Sequence, residues 1–433
     1  MRNLKINNIG KCLMHRILVL LLGSILGILA LSLVLGLPTG RMTQNVLQSM
    51  PTLQSEMGLV GVVDGYVQTF TGNFTDSLML ENCIYTNEKH SLLEQALFMY
   101  RGETSTDGSW APTISLGDYA NGKVLPCEIE YSRYWHGYLL FLKPLLYFCN
   151  INDMRVLTAY VQLFLNGVIL LLFCKRRAYE LGVVYLISTV FLYSPFLYAS
   201  LSLSICFYLL CGAIIIQLLG NDYLITHNAY PLFFFLTGMA TSYFDFLTYP
   251  LVTLGFPLCI YLYFNMNHWK KGIRSIFRHS MEWGIGYLGF WMMKWILTLI
   301  LVGGEVLPNA LSALATRTDS AEGYSKLSGF LIVVKKNMDV YRNQIYFLIG
   351  GFGVLLIIYL LIKKIKTGVE SGFIGQMCVF FLVTLYPFAW YFVAQNHSDE
   401  HWMFTCKILS VSVFAIGSAV AKMTPEHTPR SHV

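Results

Sequence analysis

The sequence predicts an all-α polytopic membrane protein of about ten transmembrane helices, with a large outer first loop carrying short interfacial helices. Three observations lead there. Of 433 residues, 55% are hydrophobic and only 12% charged, whereas soluble chains carry roughly a quarter charged residues. Several uninterrupted apolar runs reach the ~20 residues that a helix needs to cross a hydrocarbon core. The Lys and Arg residues fall in short clusters between those runs, so the net charge of +6 reads as a topology signal rather than a nucleic-acid patch.

Residues 1–37 form an amino-terminal tail and the first span. Arg2, Lys5, Lys11 and Arg16 precede an apolar run from about Ile17 to Leu37. The run is longer than a signal-peptide core and has no small-residue cleavage site, which predicts a retained helix with its amino terminus in the cytoplasm.

Residues 38–151 are the least hydrophobic part of the chain and, with Asp153 at their edge, hold 12 of its 24 acidic residues. A loop of that length points to function. Within it, Ser91 to Tyr100 has the spacing of a short amphipathic helix, Gly102 to Gly122 is turn-rich, and Tyr138 to Tyr147 is apolar but too short to span. Lys143-Pro144 interrupts that last segment, so it suits a helix lying in the interface.

The remaining spans fall in residues 152–421, at about 154–174, 180–194, 198–219, 229–243, 249–265, 281–303, 343–362, 373–394 and 402–421. The basic clusters Lys175 to Arg177, Lys270 to Arg278, Lys363 to Lys366 and Lys422 to Arg430 each follow an even number of spans. All then lie on the amino-terminal, cytoplasmic side, together with a carboxyl-terminal tail at 422–433. A second outer loop covers 304–342 and becomes amphipathic from about Lys326 to Asn337.

This topology gathers the candidate functional residues on the outer side. Asp76, set among apolar neighbours in Asn73 to Leu80, suits a general base whose pKa is raised by its surroundings, or a helix N-cap. Asp64, in a more turn-like setting, is a second carboxylate. Arg133 and His136, three residues apart in Tyr131 to Tyr138, would share a helix face and suit a phosphate, or sit in an aromatic belt at the lipid headgroups.

Asp245 sits in a short outer turn. Lys294, near the middle of a span, is costly at that depth and reads as a lipid-phosphate ligand or as the partner of Asp245 or Glu282. His397 and His401 stand four apart, a spacing that offers two ligands to a divalent metal but lacks the HExxH pattern and a third ligand. Holding substrate hydroxyls or a phosphate is the other role for that pair. The ten cysteines form no metal-binding spacing. Cys83 and Cys127 both fall in the long polar segment, where an oxidising compartment would allow them to pair.

A single amino-terminal span, a large acidic outer loop with surface-lying helices and a following bundle resemble the C-type (GT-C) membrane glycosyltransferases. Locally, Asn73 to Leu80, Tyr131 to Tyr138 and Asn396 to Thr405 are similar to segments of uncharacterised polytopic proteins of Gram-positive bacteria. The resemblance implies a plasma-membrane enzyme of bacterial origin. It would transfer a sugar from a polyprenyl-phosphate-linked donor to an envelope glycan or lipid acceptor at the outer face.

It further implies Asp76, or Asp64 closer to the first span, as the base, with Arg133, His136 and Lys294 on the carrier phosphate. Cys406-Lys407 departs from the aromatic and arginine expected after Phe404-Thr405. This reading names no certain cofactor and leaves a divalent metal as the one candidate. The alternative is a transporter or flippase for a lipid-linked precursor. Transporters usually show internal repeats and midplane polar residues on broken helices, and here polar residues concentrate in the outer loops.

Overall fold

The structure is a computed structural model that describes residues 2–57, 60–63, 65–66, 69–104, 111–194, 196–303, 306–321, 323–367 and 372–423. It is nearly all-α. Among the described residues eight stretches are long and apolar enough to cross a membrane: Leu13–Leu35, Ile151–Lys175, Tyr179–Ala199, Leu201–Thr226, Trp269–Leu301, Gln344–Lys366, Phe373–Val393 and Trp402–Lys422. The segments expected at 229–243 and 249–265 form helices of 15 and 14 residues, shorter than the ~20 of a full crossing.

Helix α1 (Arg2–Leu35) leads into a loop domain of five helices: α2 (Gly40–Ser55), α3 (Asn73–Ile84), α4 (Leu92–Phe98), α5 (Ala111–Ala120) and α6 (Leu139–Phe148). Serine and glutamate fix the start of α4, where Ser91 and Glu94 form a reciprocal capping box, and Met99 in the left-handed region ends it. The turn-rich segment Gly102 to Gly122 also holds α5, and strand β1 (Arg101–Glu103) at its start pairs antiparallel with β2 (Cys127–Ile129). Cys83 is buried, Cys127 is exposed, and both are free thiols.

Helix α6 runs through Lys143 and Pro144 rather than stopping there. Buried Lys143 donates to the Leu35 carbonyl at 3.0 Å, satisfying one of the bare carbonyls at the end of α1. Leu80, Cys83, Leu97, Leu116, Trp135 and Leu139 close over Leu31 and Leu35, so the loop domain and the end of α1 share one apolar core.

The bundle comprises α7 (Ile151–Lys175), α8 (Tyr179–Phe191), α9 (Leu201–Thr226), α10 (Tyr230–Phe244), α11 (Val252–Asn265) and α12 (Trp269–Leu301). After α13 (Val306–Thr318) and α14 (Lys326–Asp339) come α15 (Gln344–Thr367), α16 (Phe373–Thr384), α17 (Tyr386–Val393), α18 (Gln395–Glu400), α19 (Trp402–Thr405) and α20 (Ser410–Lys422). Helix α12 begins well before the expected span at 281, so Lys270 to Arg278 lie on its first turns rather than in a loop. The expected span at 373–394 breaks at Leu385, because Pro387 starts a new helix.

Helices α10 and α12 cross at backbone contact. A Cβ on Gly238 would stand 2.2 Å from the Trp283 carbonyl, and one on Gly286 would stand 2.1 Å from that of Phe235. Only glycine permits the approach. Arg16 of α1 pairs with Glu282 of α12 at 2.8 Å, tying the first helix to this pair.

Candidate functional site at the loop-domain end of the bundle

Tyr131 to Tyr138 is an irregular stretch without helical periodicity, so Arg133 and His136 do not share a helix face as expected. His136 takes a positive φ of 57° and turns inward. Its Nε2–H donates to the Tyr131 carbonyl at 3.0 Å, which leaves Nδ1 to accept from the Tyr138 hydroxyl at 3.2 Å. Asn82 in turn donates to that hydroxyl at 2.9 Å. Burial, reinforced by the charge of Lys294, holds the imidazole well below its ordinary pKa, so it is neutral with both nitrogens engaged.

Helix α12 grips the same stretch from the other side. Lys294 donates to the Tyr134 carbonyl, and Trp291 and Trp295 both donate to that of Arg133. Trp135 returns a bond to the Phe290 carbonyl at 2.8 Å. Lys294 is therefore a clamp on backbone, and its two expected carboxylate partners are occupied elsewhere: Glu282 by Arg16 and Asp245 by Thr248. Gly137 completes the fit, since a Cβ there would meet the Tyr243 ring at 2.4 Å. The Arg133 side chain is half-buried with its guanidinium 5.1 Å from the Tyr131 ring centroid.

Asp76 lies in the first turn of α3 and is fully buried. Its carboxylate accepts from the Leu201 N–H at 2.8 Å, the Ser202 N–H at 3.0 Å and the Ser200 hydroxyl at 3.3 Å. These donors are the start of α9, so the side chain caps a helix distant in sequence. Burial raises its pKa, and the α9 donors and the charge of Arg155 oppose that rise. Beside it, Arg155 makes a bidentate pair with Glu56 at 2.6 and 2.8 Å and donates to Asn73 at 3.2 Å. Asp64, the other expected carboxylate, lies outside the described residues.

The second polar layer joins three loops. Asp245, buried at the end of α10, accepts from the backbone N–H and the hydroxyl of Thr248, which forms the turn into α11. Burial raises its pKa against these bonds. Arg317, in the last turn of α13, donates to His397 Nδ1 at 2.5 Å. Because an arginine only donates, His397 is the neutral Nε2–H tautomer, and that N–H goes to the Leu247 carbonyl at 2.8 Å.

Neither nitrogen of His397 is free for a metal. The expected pairing across one turn does form, with His397 and His401 rings 4.8 Å apart. Burial and neighbouring positive charge push His397 well below its ordinary pKa and His401 down to about 4. Among the described residues no three His, Cys, Asp or Glu side chains come together as a metal-binding group.

Tyr134 links the layers. Burial and the neighbouring Tyr131 raise the pKa of its hydroxyl, and the charges of Arg317 and Arg133 oppose that rise. Among the described residues neither guanidinium has a carboxylate partner. Comparison with protein-family models, curated proteins and solved structures returns no match. The site's geometry stands alone: Arg133, over the Tyr131 ring, and Arg317, at the end of α13 on His397, lie at the same end as Tyr134, whose ring stacks on Trp291 at 5.8 Å. At the same end a largely apolar cavity of about 350 Å³ lies between Val63, Tyr66, Val190, Tyr193, Ile345 and Tyr346.

Arg317 is one of several basic residues between 304 and 342, with Lys326, Lys335, Lys336 and Arg342, and nothing in its local sequence sets it apart; the same holds for Arg101 and Arg155. Glu81 is the other residue that stands out in the fold. It is fully buried, and neither carboxylate oxygen makes a hydrogen bond. Burial pushes its pKa up to about 8, with the Arg101 guanidinium and the Gly102 N–H nearby pulling back part-way. Nothing in the local sequence signals this, because Glu81 continues an ordinary helix pattern.

Proposed function

We propose that this chain is a membrane glycosyltransferase. It would move a sugar from a polyprenyl-phosphate-linked donor to an envelope glycan or lipid acceptor at the outer face of the plasma membrane. The observation that supports the reading is the pair Arg133 and Arg317 at the loop-domain end, the first over the Tyr131 ring and the second fixed on His397, neither with a carboxylate partner among the described residues. Departure of a lipid phosphate from a sugar develops negative charge, and preorganised guanidiniums in a water-poor setting stabilise it. His397 contributes by fixing Arg317 rather than by binding phosphate itself.

The acceptor hydroxyl needs a base. In this reading that role falls to Asp64 or Asp76, and the three donors on Asp76 favour Asp64. The apolar cavity at the same end would take part of the isoprenoid chain. With α10 and α11 counted as crossings, the chain makes ten, both termini lie in the cytoplasm, and the loop domain faces outward.

The test is transfer by the purified protein in lipid nanodiscs, with a panel of radiolabelled polyprenyl-phosphate sugars and an envelope extract as acceptor. Arg317→Gln and Arg133→Gln should each lower kcat/KM at least about tenfold, roughly one charge-assisted contact. Turnover unchanged in both variants, or no transfer by the native protein from any donor in the panel, would overturn the proposal.

A further inference from the structure

At the opposite end of the bundle, α12 carries Arg274, Ser275, Arg278 and His279 toward the junction between α9 and α10. There they line a cavity of about 110 Å³ together with Asn228, Tyr230 and Tyr261. The basic residues fit the topology signal, but the cavity and its lining do not follow from topology. His279 is only 3% exposed, and its Nδ1 has no hydrogen-bond partner. Its ring is held by stacking on Phe234 at 4.8 Å and by the edge of Tyr261 at 4.6 Å. A polar ring atom buried without a partner costs free energy unless something in the cavity bonds to it.

The surrounding charge specifies what that would be. Arg274 and Arg278 are one helical turn apart on the exposed rim, and no carboxylate lines the cavity. Arg278 is oriented by Asn228, whose Oδ1 accepts from it at 3.3 Å, and Asn228 holds a positive φ of 49° to do so. The first turn of the 15-residue helix α10 begins at Tyr230 in the cavity wall. Pro231 in that turn has no N–H to offer, and the helix dipole adds positive potential at the same point. The adjacent carbonyls at the end of α9 are already taken by the N–H groups of His227, Asn228 and Ala229. Phe277 and Met281, on the same turns of α12, are exposed apolar side chains, which places the rim beside the hydrocarbon boundary.

We propose that this cavity binds a phosphate group, with Arg274 and Arg278 pairing with its oxygens and His279 bonding to it from the floor. A membrane-surface rim makes an anionic phospholipid headgroup and a free phosphate the two sources of that chemistry. The site is separate from Arg133 and Arg317 and does not rest on the glycosyltransferase reading.

The experiment uses the full-length protein in nanodiscs and reads thermal unfolding. One arm replaces phosphatidylcholine with increasing phosphatidylglycerol; the other adds inorganic phosphate to phosphatidylcholine discs, with sodium chloride matched in ionic strength. A rise in midpoint with phosphatidylglycerol alone assigns a lipid headgroup, and a rise with inorganic phosphate assigns a free anion. The double variant Arg274→Gln, Arg278→Gln should keep the native midpoint in pure phosphatidylcholine and lose at least about nine-tenths of the rise. His279→Phe, which retains the aromatic packing, should weaken the apparent affinity several-fold. No rise in either arm, or a rise that survives the double variant, would overturn the site.

Discussion

Glu81→Gln is the substitution with the clearest expected outcome. In the fold the Glu81 carboxyl is pushed up to about 8 by burial, against 4.5 in the free chain. Between those values the native state holds a proton that the unfolded chain has released, so ionisation costs stability as pH rises from about 4.5 to about 8. At roughly 1.4 kcal/mol for each tenfold change in proton affinity, the full penalty is about 5 kcal/mol, and about 3 kcal/mol of it is present at pH 7.

Glutamine is nearly isosteric and neutral throughout. The difference in unfolding free energy between variant and native protein should therefore grow in the variant's favour from about pH 5 to about pH 8. Denaturant unfolding in detergent micelles at a series of pH values measures it. If Glu81→Gln is destabilised equally at every pH, the reasoning fails, and Glu81 is instead ionised in a buried pair with Arg101.

Three further outcomes are expected. Asp76→Ala strips the start of α9 of an acceptor shared by two N–H groups and a hydroxyl, which should cost about 2–4 kcal/mol in unfolding free energy. Asp76→Asn should recover part of it, whereas an unchanged stability with abolished transfer would make Asp76 a base and not a cap. Lys294→Met removes the donor to the Tyr134 carbonyl and should lower the thermal midpoint while leaving KM for donor little changed; the reverse pattern would return Lys294 to a phosphate-binding role. Gly238→Leu forces α10 from α12 and should abolish recovery of folded protein in detergent, as judged by size-exclusion chromatography.

The membrane character and the long helices were legible because they depend on short-range properties. Apolar runs of 20 or more residues must satisfy their own backbone bonds, and this alone fixes Leu13–Leu35, Ile151–Lys175 and Gln344–Lys366 as candidate crossings. The capping box at Ser91 and Glu94 is equally local. Composition also singled out Tyr131 to Tyr138, whose aromatic and basic residues do meet the bundle.

The roles within that stretch were decided by tertiary contacts. Asp76 became a cap because α9 begins 125 residues later at its carboxylate, and Lys294 became a clamp because the Tyr134 carbonyl, 160 residues earlier, lies against it. A buried charge takes whatever partner the fold delivers, and sequence spacing carries no information about partners that far apart. For the same reason the bond that fixes Arg317 on His397 at 2.5 Å, 80 residues later, has no signal in the local sequence. The sequence by itself determined which apolar stretches are long enough to cross a membrane, because that depends on local composition; only the tertiary structure decided which polar residues are consumed in holding the fold, because their partners lie far away in the chain.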